Sequence, residues 1–577
     1  GRIAGLVGSA FADRLIGSST TRMIDGGGGD DTIDPGGGGQ AGASETIRLA
    51  AGSHGLVRFA TAAKGVSVDL AAGTATGAGT QTLINVTAIE GSAQDDTLVG
   101  TVSTLLLDGG SGGNDSFRSG GGGSSTSAET IRGGLGGQST LDFSADTVAA
   151  IHADLRSGQI DAGGASGYGY VLAEGITTLI GSAVGADTLI GGDSGHVLQA
   201  IGRVGGPGSL LIAGAGHNTL IGGLAADTLD GTHGSNLIVA GTGGGSILAG
   251  SGADTLSFAH AEAGVVVRLE AVGGGASVAG GVFSLSGALQ GLIGSALSDT
   301  LSGAAGTQLL DGGSGGNDQF DLGGAGTTAA PVTVIGGRSG TANTLTFAAD
   351  TVGGVIADLG TGLVEAGAYG SARVSGIQRL IGSAAGGDQL TGGAGVIYLS
   401  AGTGILADTL DGGGGGTVLA PEQVVGAVNG STVLTFASYA AVGAGLRIDL
   451  SFGTAGSPVS GSSENGVLTL SNIHHVIGSS AGNDTIIGDS ADDTLEAGSG
   501  SALILAGTGH NLLIGGSGSN IINATAGSNL IDSGGGRFLL LITDGNQAHD
   551  TLTFARAADG VDRKSTRLNS SHRCLSR

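Results

Sequence analysis

The residues from Ser182 to Ser257 decide the fold, because they divide into segments of nine. They read SAVGADTLI and GGDSGHVLQ, then four spacer residues, then VGGPGSLLI, AGAGHNTLI, GGLAADTLD, GTHGSNLIV, AGTGGGSIL and AGSGADTLS. The eighth place is always aliphatic, and its occupants are Leu189, Leu198, Leu211, Leu220, Leu229, Ile238, Ile247 and Leu256. A glycine-rich turn of six residues followed by a three-residue strand excludes a helix. It predicts a parallel β-solenoid in which each eighth-place side chain points inward and stacks on the next coil.

Composition supports a thin-cored repetitive protein. The 577 residues include 125 Gly, 5 Pro, no Trp and 3% aromatic residues, whereas a globular chain of this length has several aromatic-rich cores. Collagen is excluded because glycine does not recur at every third residue, and periodic aliphatic residues argue against disorder. The net charge of -26 favours cations as ligands and disfavours nucleic acid and anionic membranes as partners. No apolar run approaches the length of a membrane-spanning helix.

The nonapeptide resembles the RTX (hemolysin-type) calcium-binding repeat, G-G-x-G-x-D-x-U-x. Residues Gly26 to Asp34 match it best, reading GGGGDDTID. The resemblance covers most of the chain, although many copies are degenerate. It implies an all-β fold, a parallel β-roll or β-solenoid built from degenerate nonapeptide repeats that alternate with longer β-coil repeats, and Ca²⁺ as the ligand.

A longer repeat alternates with the nonapeptide runs. It reads T-L-x-F-A, then G-V-x-V-D-L, a glycine and alanine loop, and I-x-x-L-I-G-S-A. Copies begin near Val57, Thr140, Thr255, Thr344 and Thr432, and a sixth begins at Thr551. Its β-branched segments predict wider coils of the same solenoid, with small side sheets as the alternative. Asp69, Asp154, Asp358 and Asp449 recur at the D-L position, where we expect them to cap turns.

The two repeats divide the chain into successive segments. We assign RTX repeats to 1–56, a long repeat plus RTX repeats to 57–139, 255–343 and 344–431, and a long repeat plus a nonapeptide run to 140–254 and 432–550. Residues 551–561 would start a truncated repeat. The basic stretch 562–577 lacks the pattern, and its back-translation matches a sequencing adapter, so we expect it to be an artefact that includes the only cysteine, Cys574. The chain is therefore expected to be a piece of a longer protein without disulfides.

A second nonapeptide run extends from Ser479 to Leu541. We expect inward eighth places at Ile486, Leu495, Ile504, Leu513, Ile522, Ile531 and Leu540, and outward sixth places at Asp484, Asp493, Ala502, Asn511, Asn520, Asn529 and Phe538. Asn offers one neutral oxygen where Asp offers a charged pair. Stacked pairs such as Asn218/Asn236 and Asn511/Asn529 therefore predict hydrogen-bonded amide ladders rather than calcium sites.

The resemblance implies calcium held between turns that lie two repeats apart on one edge. Calcium takes six to eight oxygens, and a glycine turn lets backbone carbonyls converge on it. The expected turn ligands in the best copy are Gly26, Gly27, Gly29 and Asp31. Sixth-place aspartates with the required spacing are Asp13 with Asp31, Asp96 with Asp115, Asp299 with Asp318, and Asp388 with Asp408. Asp484 and Asp493 fall on opposite edges and would each need help from carbonyls.

Other motifs favour structural explanations. G-x-S-x-G at 109–113 and 312–316 lacks the strand-to-helix setting of a catalytic serine, and the chain has neither a phosphate loop nor an H-E-x-x-H helix. His474 and His475 precede a strand and are expected to face solvent rather than bind a transition metal. We therefore predict no enzyme activity for this chain.

The resemblance implies the repeat region of a type I-secreted bacterial protein, extracellular or at the cell surface, that folds when it meets calcium and serves as a stalk or adhesin scaffold. Its partners would be calcium ions and a polysaccharide or protein of a cell surface or matrix. Two alternatives remain open. The chain is the carrier region of a secreted RTX enzyme whose catalytic domain lies outside it, or a calcium-independent solenoid held by Asn ladders and aliphatic stacking.

Overall fold

The computed structural model of the protein describes most of the chain. The described residues are 4–37, 44–121, 123–124, 126–134, 136–164, 169–270, 274–278, 281–338, 340–413, 422–427, 431–436, 445–456, 468–480, 483–524, 527–541, 550–553 and 573–574. The truncated repeat is described only at 551–553 and the proposed artefact only at 573–574. The remainder of these two predicted segments lies outside the described residues.

Short strands make up nearly all of the regular structure. Contacts divide the chain into two compact units, Gly1–Ile293 and Gly294–Arg577. The one helical element within the described ranges is a single 3₁₀ turn at Gly367–Tyr369. No helix in those ranges is long and apolar enough to cross a membrane. The fold is therefore all-β.

The first unit contains strands β1 to β31. In chain order they are Gly5–Val7, Arg14–Ile16, Met23–Asp25, Thr32–Asp34, Glu45–Arg48, Leu56–Arg58, Ser67–Asp69, Thr74–Thr76, Thr80–Ile84, Ala88–Glu90, Thr97–Val99, Leu106–Asp108, Ser116–Arg118, Glu129–Arg132, Ser139–Asp142, His152–Asp154, Gln159–Gly164, Gly169–Glu174, Ile176–Ile180, Thr188–Ile190, Val197–Gln199, Leu210–Ile212, Thr219–Ile221, Asp227–Gly231, Leu237–Val239, Gly245–Ala249, Thr255–Ser257, Val266–Leu269, Gly274–Val278, Gly281–Ser286 and Gly291–Ile293.

The second unit contains strands β32 to β58. In chain order they are Thr300–Ser302, Leu309–Asp311, Gln319–Asp321, Val332–Ile335, Thr344–Thr346, Ile356–Asp358, Leu363–Glu365, Ser371–Ser375, Arg379–Ile381, Gln389–Thr391, Tyr398–Ser400, Asp408–Asp411, Glu422–Val425, Thr432–Thr435, Arg447–Asp449, Thr454–Gly456, Leu468–Ser471, His475–Ile477, Asn483–Ile487, Thr494–Glu496, Ser501–Leu505, Leu512–Ile514, Ser519–Asn523, Leu530–Asp532, Arg537–Leu541, Thr551–Thr553 and Arg573–Cys574.

Each coil of the solenoid consists of two nonapeptides, as the resemblance to the RTX repeat implies. In the nonapeptide runs each strand pairs in parallel with the strand two further along the chain. Leu189 thus aligns with Leu211, and Leu211 aligns with Leu229, 18 residues later. Alternate strands therefore form two facing sheets, and in the run from Ser182 to Ser257 they are β19-β21-β23-β25-β27 and β20-β22-β24-β26. In the second unit the run from Ser479 has β49-β51-β53-β55-β57 in one sheet and β50-β52-β54-β56 in the other.

Eighth-place side chains form the core. All eight predicted inward residues of the first run are at most 1% exposed, and the first six of the second run, Ile486 to Ile531, are fully buried. Leu540 is only half-buried. Its strand β56 pairs with β54 on one side, and the described residues supply no strand on the other.

The strands of the long repeats lie within the two main sheets and do not form separate side sheets. In the first copy β7 is antiparallel to β8 and β8 is antiparallel to β9, while β9 pairs in parallel with the earlier β5 and β7 with the later β11. The sheet order is therefore β5-β9-β8-β7-β11. The same three-stranded reversal occurs at β16–β18, β28–β30, β37–β39 and β46–β48. The predicted wider coils are confirmed, and the additional strand runs antiparallel within the main sheet.

Phenylalanine fills the core where the coils widen. Each complete long repeat carries a Phe two places after the buried aliphatic residue of its first strand. These residues are Phe59, Phe143, Phe258, Phe347 and Phe436, and all are at most 1% exposed. Phe258 packs edge-on against Phe283 with ring centroids 5.9 Å apart. A large flat side chain fills the extra volume that Leu or Ile would leave empty.

The recurring aspartates of the long repeat cap its first hairpin, as predicted. Asp69 Oδ1 accepts a hydrogen bond of 2.9 Å from the Ala72 amide. Asp154 and Asp358 accept equivalent bonds from Arg156 (2.9 Å) and Gly360 (2.8 Å). Asp449 accepts bonds from the Ser451 hydroxyl and the Phe452 amide. Their role is therefore architectural, since each satisfies a turn donor beside an added strand.

Stacking of eighth-place residues predicts a sharp difference between two leucines of one run. Leu220 is fully buried and Leu224 is 46% exposed. Leu220→Ala should lower the free energy of unfolding by about 2–5 kcal/mol, because it removes buried methyl groups and leaves a cavity. Leu224→Ala should change it by less than about 0.5 kcal/mol. Urea denaturation followed by circular dichroism measures both, and equal losses would contradict the inward stacking.

Candidate metal centre

A polar residue at the sixth place of a nonapeptide links its coil to the preceding one, whereas the sixth-place residues Gly245 and Ala502 have no side-chain oxygen to do so. The side-chain oxygen of the polar residue accepts a hydrogen bond from the backbone amide of the sixth-place residue one coil earlier. His196 N–H donates to Asn218 Oδ1 at 3.0 Å, and Asn236 N–H donates to Asp254 Oδ1 at 2.8 Å. Along the edge between them, Asn218 N–H donates to Asn236 Oδ1 at 3.2 Å. The sixth place therefore has a structural task in coils with and without aspartate.

The expectation that sixth-place side chains point outward is wrong. Asp484, Asp493, Asn511, Asn520 and Asn529 are each at most 2% exposed, and Ala502 is 4% exposed. The side chain of Phe538 lies outside the described residues. For Asp484, Asn511 and Asn520 the reason is an amide donor of the preceding coil, which holds the side chain over the turn, where the neighbouring turns cover it.

The structure brings together all four predicted aspartate pairs. In each pair the backbone amide of the first residue donates to the carboxylate of the second. The distances are 3.0 Å for Asp13 to Asp31, 3.0 Å for Asp96 to Asp115, 2.9 Å for Asp299 to Asp318 and 2.9 Å for Asp388 to Asp408. Seven of these eight residues are at most 2% exposed, and Asp13 is half-buried. The predicted spacing is thus correct for all four pairs.

The first residues of three pairs already have full sets of donors. Asp96 accepts bonds from the Val66 amide (2.6 Å), the Ser92 amide (2.6 Å) and the Ser92 hydroxyl (2.9 Å). Asp299 and Asp388 are held in the same way by Ser295 and Ser383. The serine of the G-S-A segment therefore satisfies these carboxylates without a cation.

The second residues of the pairs are less completely satisfied. Among the described residues, Asp31 Oδ2 and Asp408 Oδ2 are buried and have no hydrogen-bond partner. By contrast, Asp115 Oδ2 accepts a bond from the Gly134 amide at 3.1 Å and Asp318 Oδ2 one from Gly337 at 3.0 Å. A buried charged oxygen without a donor is costly unless a cation or a proton accompanies it. Asp31 and Asp408 therefore fit a calcium ligand best.

The turn glycines predicted around Asp31 are required by space and conformation. A Cβ on Gly26 would lie 2.2 Å from Asp31 Oδ2, so only glycine lets the turn close over the carboxylate. Gly27 and Gly29 have φ angles of 83° and 90°, which L side chains rarely adopt. Ligation by the carbonyls of these three glycines stays a prediction.

Burial and mutual repulsion raise the pKa values of the second aspartates in three of the pairs. Burial raises the pKa of Asp115 to about 6, against the lowering effect of the Asp96 amide, and the Asp96 carboxylate raises it further. Asp318 beside Asp299 has the same causes and also a pKa of about 6. Burial likewise raises the pKa of Asp408, to which the Asp388 charge contributes. A divalent cation at these edges would compensate the repulsion.

Asp484 and Asp493 differ in their surroundings. Asp484 accepts bonds from the Leu446 amide (2.8 Å) and from the amide and hydroxyl of Ser479 (2.7 and 3.0 Å), which resembles the satisfied aspartates. Asp493 instead meets two side chains, His474 and Asp489. The expectation that only carbonyls would assist Asp493 missed both neighbours.

The predicted amide ladders are present. Asn511 Nδ2 donates to Asn529 Oδ1 at 3.0 Å, and Asn529 Nδ2 donates onward to Asp550 Oδ1 at 3.0 Å. In the first run, Asn236 Nδ2 similarly reaches Asp254 Oδ1 at 3.0 Å. Neutral amides thus join consecutive coils, and each of these two ladders ends on a carboxylate, Asp550 or Asp254.

Three buried glutamates were not identified from the sequence. Glu45, Glu129 and Glu422 begin strands β5, β14 and β44, and each is 0% exposed. Glu129 Oε2 accepts a 2.5 Å bond from the Ser119 hydroxyl, whereas neither carboxyl oxygen of Glu422 has a hydrogen-bond partner among the described residues. The available signal was the repetition of E-T-I-R at 45–48 and 129–132 and of E-Q-V-V at 422–425, each after a glycine loop.

Burial raises the pKa of all three glutamates above the ordinary value. Burial raises the pKa of Glu129 to about 7, and the Ser119 hydrogen bond opposes the increase. It raises the pKa of Glu45 to about 7 against the effect of the Gln81 side chain. Burial together with the Asp411 charge raises the pKa of Glu422 to about 9. Each carboxyl therefore binds its proton more tightly in the folded state than in the unfolded chain.

The raised pKa values predict that stability falls as pH rises. The contribution of Glu422 is fully present below its unfolded pKa near 4.5 and is lost progressively as pH increases toward about 9. Glu422→Gln should therefore raise the thermal midpoint by several degrees at pH 8 and much less at pH 5. The exposed Glu365→Gln is the matched control and should change neither value. Midpoints measured by circular dichroism would contradict the assignment if Glu422→Gln gave the same small effect at both pH values.

Comparison with known proteins adds no family assignment. No protein-family model matches the chain, and no curated protein matches it. The repeat pattern and the geometry of the edges therefore carry the functional argument. They establish a repeat-rich, all-β protein whose mostly parallel sheets are those of a β-roll or β-solenoid.

Proposed function

We propose that this chain is a calcium-binding structural repeat region of a secreted or cell-surface bacterial protein. One observation carries the proposal. Asp31 and Asp408 each have a buried carboxylate oxygen that meets no hydrogen-bond partner in the described part of the chain, and each lies beside a second aspartate of the preceding coil. The net charge of -26 makes these edges attractive to divalent cations. Parallel β-solenoid architecture fits a scaffold, since stacked coils extend in one direction.

Calcium would have a structural role, in which its charge stabilises the stacked coils, and not a catalytic one. When bound, it would supply two positive charges and accept oxygen ligands from Asp31 and Asp13 at one edge and from Asp408 and Asp388 at another. The protein's own residues position those oxygens, because the sixth-place bonds fix the aspartates at the spacing of adjacent coils. Ion binding and folding are then coupled, since the ion favours only the stacked state.

Repetition also supports a non-catalytic role. The potential ligand pairs and the capped hairpins recur along the chain, as expected for architecture, whereas a catalytic site is normally built once. In this proposal the protein stays unfolded at the low calcium concentration of the cytosol and folds outside the cell, where modest affinities suffice. It then acts as a stalk or adhesin scaffold that contacts a surface or matrix polysaccharide or protein.

A calcium-independent solenoid is the second candidate. The Asn511–Asn529–Asp550 ladder favours it, because these contacts close without an ion. The carboxylates of Asp96 and Asp388, whose hydrogen bonds the protein itself supplies, also favour this candidate. In that case the calcium-binding frame persists only as a scaffold.

Replacement of aspartate by asparagine tests the proposal, because the chain itself uses Asn at the sixth place of other coils. Asp31→Asn and Asp408→Asn keep an amide oxygen for the intercoil bond and remove the charge. Each should abolish one calcium-binding event in a calorimetric titration and leave the folded structure intact.

Asp227→Asn is the matched control. Asp227 is 3% exposed and accepts bonds from the amides of Ser209 and Gly223, and its sixth-place neighbour one coil earlier is Ser209 rather than an aspartate. Its calcium stoichiometry should equal that of the unaltered protein. Unchanged stoichiometry in Asp31→Asn and Asp408→Asn would contradict these sites, and a folded protein that takes up no calcium would favour the second candidate.

A further inference from the structure

A mixed group of side chains lies at one edge of the second unit. Among the described residues, His474, Asp489 and Asp493 can each offer one ligand atom such that all three atoms lie within 4.8 Å of one another. His474 Nδ1 is 3.3 Å from Asp493 Oδ1. The Asp493 side chain is fully buried, whereas that of His474 is 46% exposed, so the group has a buried base and an opening to solvent.

The repeat frame explains how the three residues meet. Val476 in β49 aligns with Leu495 in β51, so the residues two places before them, His474 and Asp493, are sixth-place residues of consecutive coils. The Thr494 amide donates to the His474 carbonyl at 2.7 Å, just as the Thr32 amide donates to the Asp13 carbonyl at 2.8 Å. His474 therefore occupies the position that aspartate holds in the four aspartate pairs.

Asp489 completes the group from the turn that leads to Asp493. Its backbone amide donates to Asp493 Oδ2 at 2.8 Å, which places the start of the turn directly over the buried carboxylate. Asp489 Oδ1 accepts a bond from the Ala491 amide at 2.6 Å, and this bond fixes the side chain. The two carboxylates therefore face His474 from one turn.

The donor set differs in kind from that of the aspartate pairs. Calcium takes oxygen ligands, whereas an imidazole nitrogen with two carboxylates suits Zn²⁺ and neighbouring transition metals. In tetrahedral zinc sites the bonds are about 2.0–2.2 Å, so ligand atoms lie about 3.3–3.5 Å apart, close to the 3.3 Å that separates His474 from Asp493. Three protein ligands leave a fourth position for water on the solvent side.

We propose that His474, Asp489 and Asp493 form a binding site for a first-row transition-metal dication of the Zn²⁺ type. A single substitution in the repeat, histidine for the first aspartate of a pair, changes the preferred metal while the frame is retained. The site stands apart from the calcium proposal, because it needs neither Asp31 nor Asp408 and is distinguished by its nitrogen ligand.

Two neighbouring histidines provide matched controls. His475 Nε2 is 3.1 Å from Glu496 Oε1, and His510 Nδ1 is 3.4 Å from Asp492 Oδ1. Each has one carboxylate partner, and among the described residues neither belongs to a group of three ligands. Replacement of either should leave metal binding at the proposed site unchanged.

The test is a titration of the metal-free, full-length protein with Zn²⁺ by calorimetry and with Co²⁺ by visible spectroscopy. The unaltered protein should bind Zn²⁺ and give the intense d–d absorption of four-coordinate Co²⁺. His474→Ala and Asp493→Asn should each weaken binding by more than about tenfold, since even outer partners of metal ligands contribute 10–100-fold. His475→Ala and His510→Ala should titrate like the unaltered protein.

The variant His474→Asp distinguishes this site from a calcium site. It replaces the imidazole by a carboxylate and so creates an aspartate pair, and the variant should no longer give the Co²⁺ spectrum. If His474→Ala binds Zn²⁺ as tightly as the unaltered protein, or if the unaltered protein binds none while circular dichroism shows it folded, the proposal is overturned. Neither result depends on whether Asp31→Asn alters calcium binding.

Discussion

The intercoil hydrogen bond at the sixth place is the interaction on which the rest of the structure depends. Parallel pairing fixes the strands, but each turn also carries amides that the sheets do not satisfy. An oxygen at the sixth place of the next coil accepts one of them, as Asp31 does for Asp13 and Asn236 does for Asn218. Alignment of successive turns follows, and with it the burial of the eighth-place residues.

This constraint separates architecture from ion binding. Aspartate and asparagine meet the geometric requirement equally, yet only aspartate brings charge into a buried turn. Where serine supplies extra donors, as Ser92 does for Asp96, the charge is satisfied internally. Where no described residue donates to the second oxygen, as at Asp31, a cation has a physical reason to bind. One frame thus supports neutral ladders, closed networks and candidate metal sites.

Much of this arrangement was predictable from the sequence. The nine-residue period predicts the buried eighth places, because strand alternation leaves a single inward position in a three-residue strand. The coil of two nonapeptides follows from the resemblance to the RTX repeat. The spacing rule also identified all four aspartate pairs. Burial of the sixth place was missed, since hydrophobic periodicity does not report a hydrogen bond from another coil.

Other features depend on contacts that the sequence pattern does not encode. The antiparallel strand β8 lies between β7 and β9, and β9 pairs in parallel with β5, from which three strands separate it in the chain. Glu422 is a charged residue type that would be expected at the surface, but it is 0% exposed. His474 is 46% exposed, as the sequence predicts, but its carboxylate neighbours follow from the register of β49 with β51, which the sequence pattern does not give.

The most direct test of the central claim compares the protein in calcium with the protein in chelator. Far-ultraviolet circular dichroism and thermal melting would be recorded on the same preparation under both conditions. We expect greater β-structure content and a higher melting temperature in calcium, because the ion neutralises the carboxylates only in the stacked state. Identical spectra and identical melting in the two conditions would contradict it and leave a solenoid held by hydrogen bonds and aliphatic stacking alone.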